Sequence, residues 1–508
     1  QKFKQSLCSC VQKGSSSKLV MAITIDSRNQ GNFLEAVQQG HDEAVLRYID
    51  QGVDVCCRSH HGVGALFLAC RFGHDKIAKL LIQHGADAHK TNALDESALM
   101  WASRHGHYKA SRMLLECGVK VNHQCCNGTT ALIQAVTAGY LQVARLLLSH
   151  RANVNLKTTT GFTALIKASG KGYLDITELL LNHGAIITEK TKAGESALLL
   201  AAANGHDDVV KLLLSHAAFQ VSESDSQALL AAVKHGHHKT VRLLLNAGLE
   251  ANVRYKNQWT TLRMALQQDD FQMVEILIKA GVDVNTSFTN TQTAVHWAAR
   301  NGNHHILQML LSAGAKLSNR MGNEEMAIVG AVEARAIKCI SLLLDYGGNP
   351  NAKSRDDETV LNRAVLSENI GTVQLLLDRG ADVDARGWHG ETALLRATRT
   401  ANLRIMHMLL NYGANVDEKN HRRYWTNNYI SVRFLETREE TPLIRASRRG
   451  NAYTAQLLLD WGANPFRLDE SNKRALDWAV CSNNARVQQV LLRRMAQIDP
   501  YAMLCFAA

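Results

Sequence analysis

Apolar residues recur at one phase of a fixed period along the chain: Phe33, Leu66, Leu99, Leu132, Leu165, Leu198, Leu229, Leu262, Val295, Ile328, Leu361, Leu394, Leu443 and Leu476. Eleven of the intervals between them are 33 residues, one is 31 and one is 49. Such a period marks an array of small units, about fourteen here, each unable to bury its apolar face without a neighbour. It replaces the three or four globular domains that 508 residues would otherwise suggest.

The pattern within a unit predicts its elements. Ser or Thr stands two residues before the reference position, as in Thr163, Ser196, Thr392 and Thr441. Its hydroxyl can accept an orphan backbone N–H and so start a first helix. Small residues three and four places on, such as Ala201 with Ala202 and Ala298 with Ala299, allow neighbouring helices to approach closely. Glycine seven places on ends the helix, at Gly73, Gly106, Gly139, Gly172, Gly205, Gly236, Gly302 and Gly450. A Leu-rich run such as Leu146-Leu147-Leu148 predicts a second helix, and a Gly-Ala-Asp/Asn-Val segment leads into an extended hairpin.

Gly161-Phe162-Thr163-Ala164-Leu165, Glu440-Thr441-Pro442-Leu443-Ile444-Arg445-Ala446 and Leu179-Leu180-Leu181-Asn182-His183-Gly184-Ala185 resemble the ankyrin repeat, G-x-T-P-L-H-x-A-A followed by L-L-x-x-G-A-D-V-N. The resemblance covers roughly residues 25–495 and implies an all-α solenoid of helix-turn-helix units joined by β-hairpin loops. The signature proline is Ala in most units and Pro at Pro442; the first helical position tolerates many residues, so the loss should cost little. Residues 1–24 read as a linker or frayed segment, 25–495 as the solenoid and 496–508 as a tail.

Apolar residues make up 46% and charged residues 20% of the chain, a composition that folds. Four prolines against 34 glycines suit helices ended by glycine. Eleven cysteines, an odd number at low density, predict reduced thiols in the cytoplasm or nucleus. The longest apolar runs, such as Ala197 to Ala203, fall far short of the ~20 residues that cross a bilayer.

The net charge of +11 is polarised: residues 385–508 hold 16 Arg and 2 Lys against 5 Asp and 6 Glu, a net +7. In ankyrin proteins the binding face combines hairpin tips with the first helix, above all the positions five and six after the reference residue. Eight residues at those positions are basic and one is acidic. One reading makes Arg396, Arg399, Arg445, Arg448 and Arg449 the floor of a groove for an acidic segment, since the guanidinium fork suits carboxylate or phosphate. The other makes them a solvated helix face. The 49-residue interval adds a finger at 419–439 carrying Arg422, Arg423, Tyr424, Trp425 and Tyr429. It has the composition of an interface hot spot, although its aromatics could equally pack on neighbouring hairpins.

Candidate chemistry is thin. Cys56-Cys57-Arg58-Ser59-His60-His61, with His89, His123, Cys125 and Cys126, offers zinc-type ligands. The spacing does not fit the usual fingers, and adjacent cysteines in an extended turn point to opposite sides. His74, His107, His206 and His237 follow a stop glycine, where the family carries a structural His. Trp101, Trp297 and Trp478 recur two places after the reference residue, as half-buried packing between first helices. Gly170-Lys171-Gly172 lacks the spacing of a phosphate loop. No catalytic residue, metal or cofactor is assigned. The expected function is a non-enzymatic protein-interaction scaffold or adaptor. The alternatives are RNA or DNA binding by the basic C-terminal repeats, or the recognition half of a larger protein, the second prompted by the start at Gln1.

Overall fold

The computed structural model describes residues 29–59, 62–217, 225–255, 259–288, 292–317, 326–354, 356–420 and 439–498. Two compact units divide at Val253 and Arg254, and each contains seven successive helix pairs among the described residues. A first helix, of seven to nine residues in every pair after the first, such as Ala164–Lys171, is followed by a second such as Leu174–Asn182. Helices this short are marginal alone in water, so stacking must supply their stability. All fourteen reference residues, from Phe33 to Leu476, are buried.

The first-helix caps form as the sequence predicts. The hydroxyls of Thr163, Ser196, Thr392 and Thr441 accept from the backbone N–H of Ile166, Leu199, Leu395 and Ile444. Pro442 occupies the first position of its helix, and its cap has the same geometry as the Ala-containing ones. The predicted stop glycines all have positive φ, from 70° at Gly205 to 83° at Gly139. The hairpins are closed by single bridges, Arg58 to Gly64, Thr91 to Ser97, Lys190 to Ser196 and Lys353 to Thr359, and by the two-residue strands Arg254–Tyr255 and Trp259–Thr260.

The two units solve the junction between helices differently. In residues 29–253 the stop position is always glycine, and at Gly40, Gly73, Gly106, Gly139, Gly172 and Gly205 the ring two helices onward covers it, whereas a Cβ on Gly236 would meet nothing within 4 Å. A Cβ on Gly73 would lie 2.5 Å from the His107 ring, and one on Gly106 2.5 Å from Tyr140. His107 Nε2 also bonds the Arg71 carbonyl at 2.8 Å, and His237 Nε2 the Ala203 carbonyl at 3.1 Å. In residues 254–498 the stop position is Asp269, Arg335, Glu368, Ala401 or Asn483 in five repeats, each with φ between 51° and 57°. The residue facing the first four of these is Asn303, Asn369, Asn402 or Asn451, whose side chain turns to cap its own second helix. With no ring over it, the stop position accepts a Cβ.

Hairpins are tied from repeat to repeat by side chains that accept backbone N–H groups. Asn122 Oδ1 accepts from Asn153 N at 2.7 Å, Asn351 Oδ1 from Asp382 N at 2.7 Å, and Asp384 Oδ1 from Asn415 N at 3.0 Å. Asp417 Oδ1 continues this series to Asn464 N at 3.1 Å, across the insertion. The extra residues therefore leave the stacking register unbroken.

Candidate functional site

The five arginines expected to floor a groove lie on the first helices Ala393–Thr400 and Pro442–Arg448 and at the Arg449 cap that follows. Their environments split them into two sets. Arg396 and Arg445 are 2% and 5% exposed, so they are not a groove floor. Both sit two places after a reference Leu, where the side chain enters the seam between adjacent repeats. A guanidinium there must be paired, because an isolated buried charge is very costly.

The pairing comes from a carboxylate three residues before each reference position: Glu358, Glu391 and Glu440, all buried. Arg396 Nη2 donates to Glu358 Oε2 at 2.6 Å, and Arg396 Nε lies 2.7 Å from Glu391 Oε2, an ion contact without hydrogen-bond alignment. Arg445 then bridges Glu391 Oε1 at 2.7 Å and Glu440 Oε1 at 2.6 Å, and donates to the Leu395 carbonyl at 3.0 Å. Arg448, half-exposed, closes the series on both oxygens of Glu440, at 3.0 and 3.2 Å. Burial raises the Glu358 carboxyl above its ordinary range, with Arg396 opposing the shift. Three carboxylates and three guanidinium groups thus alternate through three repeats with no net charge.

Arg399 and Arg449 remain. Both are exposed, and among the described residues neither pairs with a carboxylate. Arg449 Nη1 donates to the Arg399 carbonyl at 3.0 Å, which lays its side chain back over the end of the preceding first helix. Helix C-terminal carbonyls favour a cation there. Burial, and then the charges of Arg445, Arg399 and Arg448, lower the Arg449 guanidinium below its usual range.

Arg422, Arg423, Tyr424, Trp425 and Tyr429 lie outside the described residues. The residues where that segment leaves and returns are joined: Glu440 N donates to Asn420 Oδ1 at 2.8 Å, and both residues are buried. Glu440 therefore belongs both to this neck and to the charged series.

The glutamates were not singled out from the sequence, but a signal exists. Glu358, Glu391 and Glu440 are spaced by 33 and 49 residues, the spacing of the reference positions themselves. Glu96 occupies the same phase and accepts from the Trp101 indole at 2.8 Å and from Arg104 at 2.8 Å. Trp478 likewise donates to Asp469 at 2.8 Å. These tryptophans are half-buried with committed N–H groups, in keeping with packing and not ligand stacking.

Cys57 and Cys125 are buried while Cys56 and Cys126 are exposed, the opposite-sided placement expected of each pair. Among the described residues no group of three His, Cys, Asp or Glu is placed to hold a metal ion, and no helix is long and apolar enough to cross a membrane. A groove of about 760 Å³ lies between the second helices Phe271–Lys279 and His304–Ser312, lined by Phe271, Ile278, Met309 and Ala313. None of the predicted site residues lines it.

Within each unit, successive helix pairs and hairpins tied from repeat to repeat define a repeat protein. Family models for ankyrin repeats match residues 33–125, 117–191, 186–255, 229–321, 328–420 and 438–470, and the chain belongs to the ankyrin repeat family. No curated protein matches it. Ankyrin repeats are protein–protein interaction modules and are typically non-catalytic.

Proposed function

We propose that this chain is a non-enzymatic scaffold or adaptor of the cytoplasm or nucleus, and that it binds a partly acidic partner segment over the first-helix face of residues 393–482. Arg399 and Arg449 are the attracting charges, and Arg448 is the edge residue held in place by Glu440. Arg422, Arg423, Tyr424, Trp425 and Tyr429 supply the aromatic and cationic anchors of the finger. The observation that carries this reading is the exposed, uncompensated pair Arg399 and Arg449 on a stack whose other central charges cancel.

Affinity capture with the intact chain, with the Arg399→Glu/Arg449→Glu variant and with a chain lacking 421–438 tests it. Keeping Asn420 and Glu439 preserves the closed neck. The partner set retained by the intact chain is expected to be lost on charge reversal and weakened without the finger. Trp425→Ala alone is expected to cost about 2 kcal/mol of binding. Partners that survive charge reversal unchanged would place the binding face elsewhere.

A further inference from the structure

We infer that Arg399 and Arg449 form a recognition point for a single phosphate, that of a phosphorylated serine or threonine in the partner segment. This rests on the reading of the first-helix face as the binding surface and specifies what that face selects.

The charge accounting leads to it. Of the five arginines around this seam, Arg396, Arg445 and Arg448 are each held by a glutamate, and the six groups sum to zero. What the partner meets is therefore two exposed positive charges at the ends of adjacent first helices, with Arg449 donating to the Arg399 carbonyl and near enough to the Arg399 guanidinium to feel its charge. A carboxylate would compensate one of them. A phosphomonoester carries about −1.5 to −2 at neutral pH and presents three acceptor oxygens, enough for a two-bond fork from each guanidinium. Burial and, after it, the charges of Arg445, Arg399 and Arg448 lower the Arg449 guanidinium, and an anion bound there would offset the repulsive part.

The neighbouring repeats set the size of the site. The corresponding positions before it are Leu366 and Ser367, and those after it are Cys481 and Ser482. Neither neighbouring repeat carries a basic residue at these positions to follow a run of phosphates, as a nucleic-acid strand requires, and the Glu440 carboxylate that acts on Arg449 is already held by Arg445 and Arg448. Arg449 and its surroundings are also supported. Arg449 is hydrogen-bonded at its head, the Arg448 beside it is fixed by two bonds to Glu440, and Glu440 is fixed in the neck. Pre-orientation of this kind lowers the ordering cost of binding.

The test uses the full chain and short degenerate peptides with a central Ser, phosphoserine or Asp-Asp, with an oligothymidylate as a further arm. The phosphoserine pool is expected to bind at least ~10-fold tighter than the Ser pool. Arg399→Gln/Arg449→Gln is expected to reduce that ratio below ~3-fold while leaving the thermal midpoint in place, because both side chains are exposed. Arg448→Gln is expected to retain most of the ratio. If the Asp-Asp pool equals the phosphoserine pool, the phosphate assignment falls and the acidic-segment reading stands. Tighter binding of the oligothymidylate than of the phosphopeptides also overturns it. If no peptide pool binds, both fall together.

Discussion

Glu391 sits between two guanidinium groups, contacting Arg396 on one side and Arg445 on the other. Removing it leaves two buried cations with one carboxylate fewer, so Glu391→Ala is expected to destabilise residues 254–498 by about 3–5 kcal/mol, read from the urea midpoint. A loss below ~1 kcal/mol would mean that the series is already hydrated. Space is tight here as well. A Cβ on Gly387 would overlap Glu358 Oε1 and lie 2.5 Å from Asn362 Nδ2, so Gly387→Ala is expected to push Glu358 off Arg396 and cost about 1–3 kcal/mol. The residue types of this cluster are plain in the sequence, but their pairing is not. Arg396 and Arg399 are three residues apart on one helix, yet one faces the seam and the other faces solvent. Only the placement of Glu358 and Glu391 on both sides of Arg396 separates a buried strut from an exposed side chain.

At the level of helices and their joints, the stop position and the ring facing it form one device. Gly106 needs glycine twice over, for φ 78° and because Tyr140 occupies the space of a Cβ. Gly106→Ala is expected to cost about 2–4 kcal/mol. Ala401 holds φ 54° with no ring above it, so Ala401→Gly is expected to gain about 0.5–1 kcal/mol by relieving left-handed strain. Equal effects of opposite sign would show that backbone conformation alone, and not the ring, decides the position; thermal melts of the two variants make the comparison. The stop glycines and Ser/Thr caps were legible because each answers a local backbone need. The exchange of glycine with ring for side chain with Asn cap was not, because its two halves lie in adjacent repeats and only stacking brings them together.

Across the chain, coupling in a stack passes between nearest neighbours. A defect such as Glu391→Ala is therefore expected to speed amide hydrogen exchange in residues 360–481 and to leave residues 65–203 unchanged. Uniform acceleration along all 508 residues would show one cooperative body in place of two units. The period of 33, the helix pairs and the ankyrin fold could be read from the residues alone, because the buried reference position recurs in all fourteen repeats and the cap and stop recur in most of them. Which arginines face outward could not be read in this way. Burial and pairing depend on side chains 38 to 54 residues apart in the chain, Glu358 with Arg396 and Glu391 with Arg445, and those distances close only when repeats stack. Stacking pairs Arg396 and Arg445 across repeats, Glu440 of its own repeat holds Arg448, and Arg399 and Arg449 stay exposed with no carboxylate partner among the described residues.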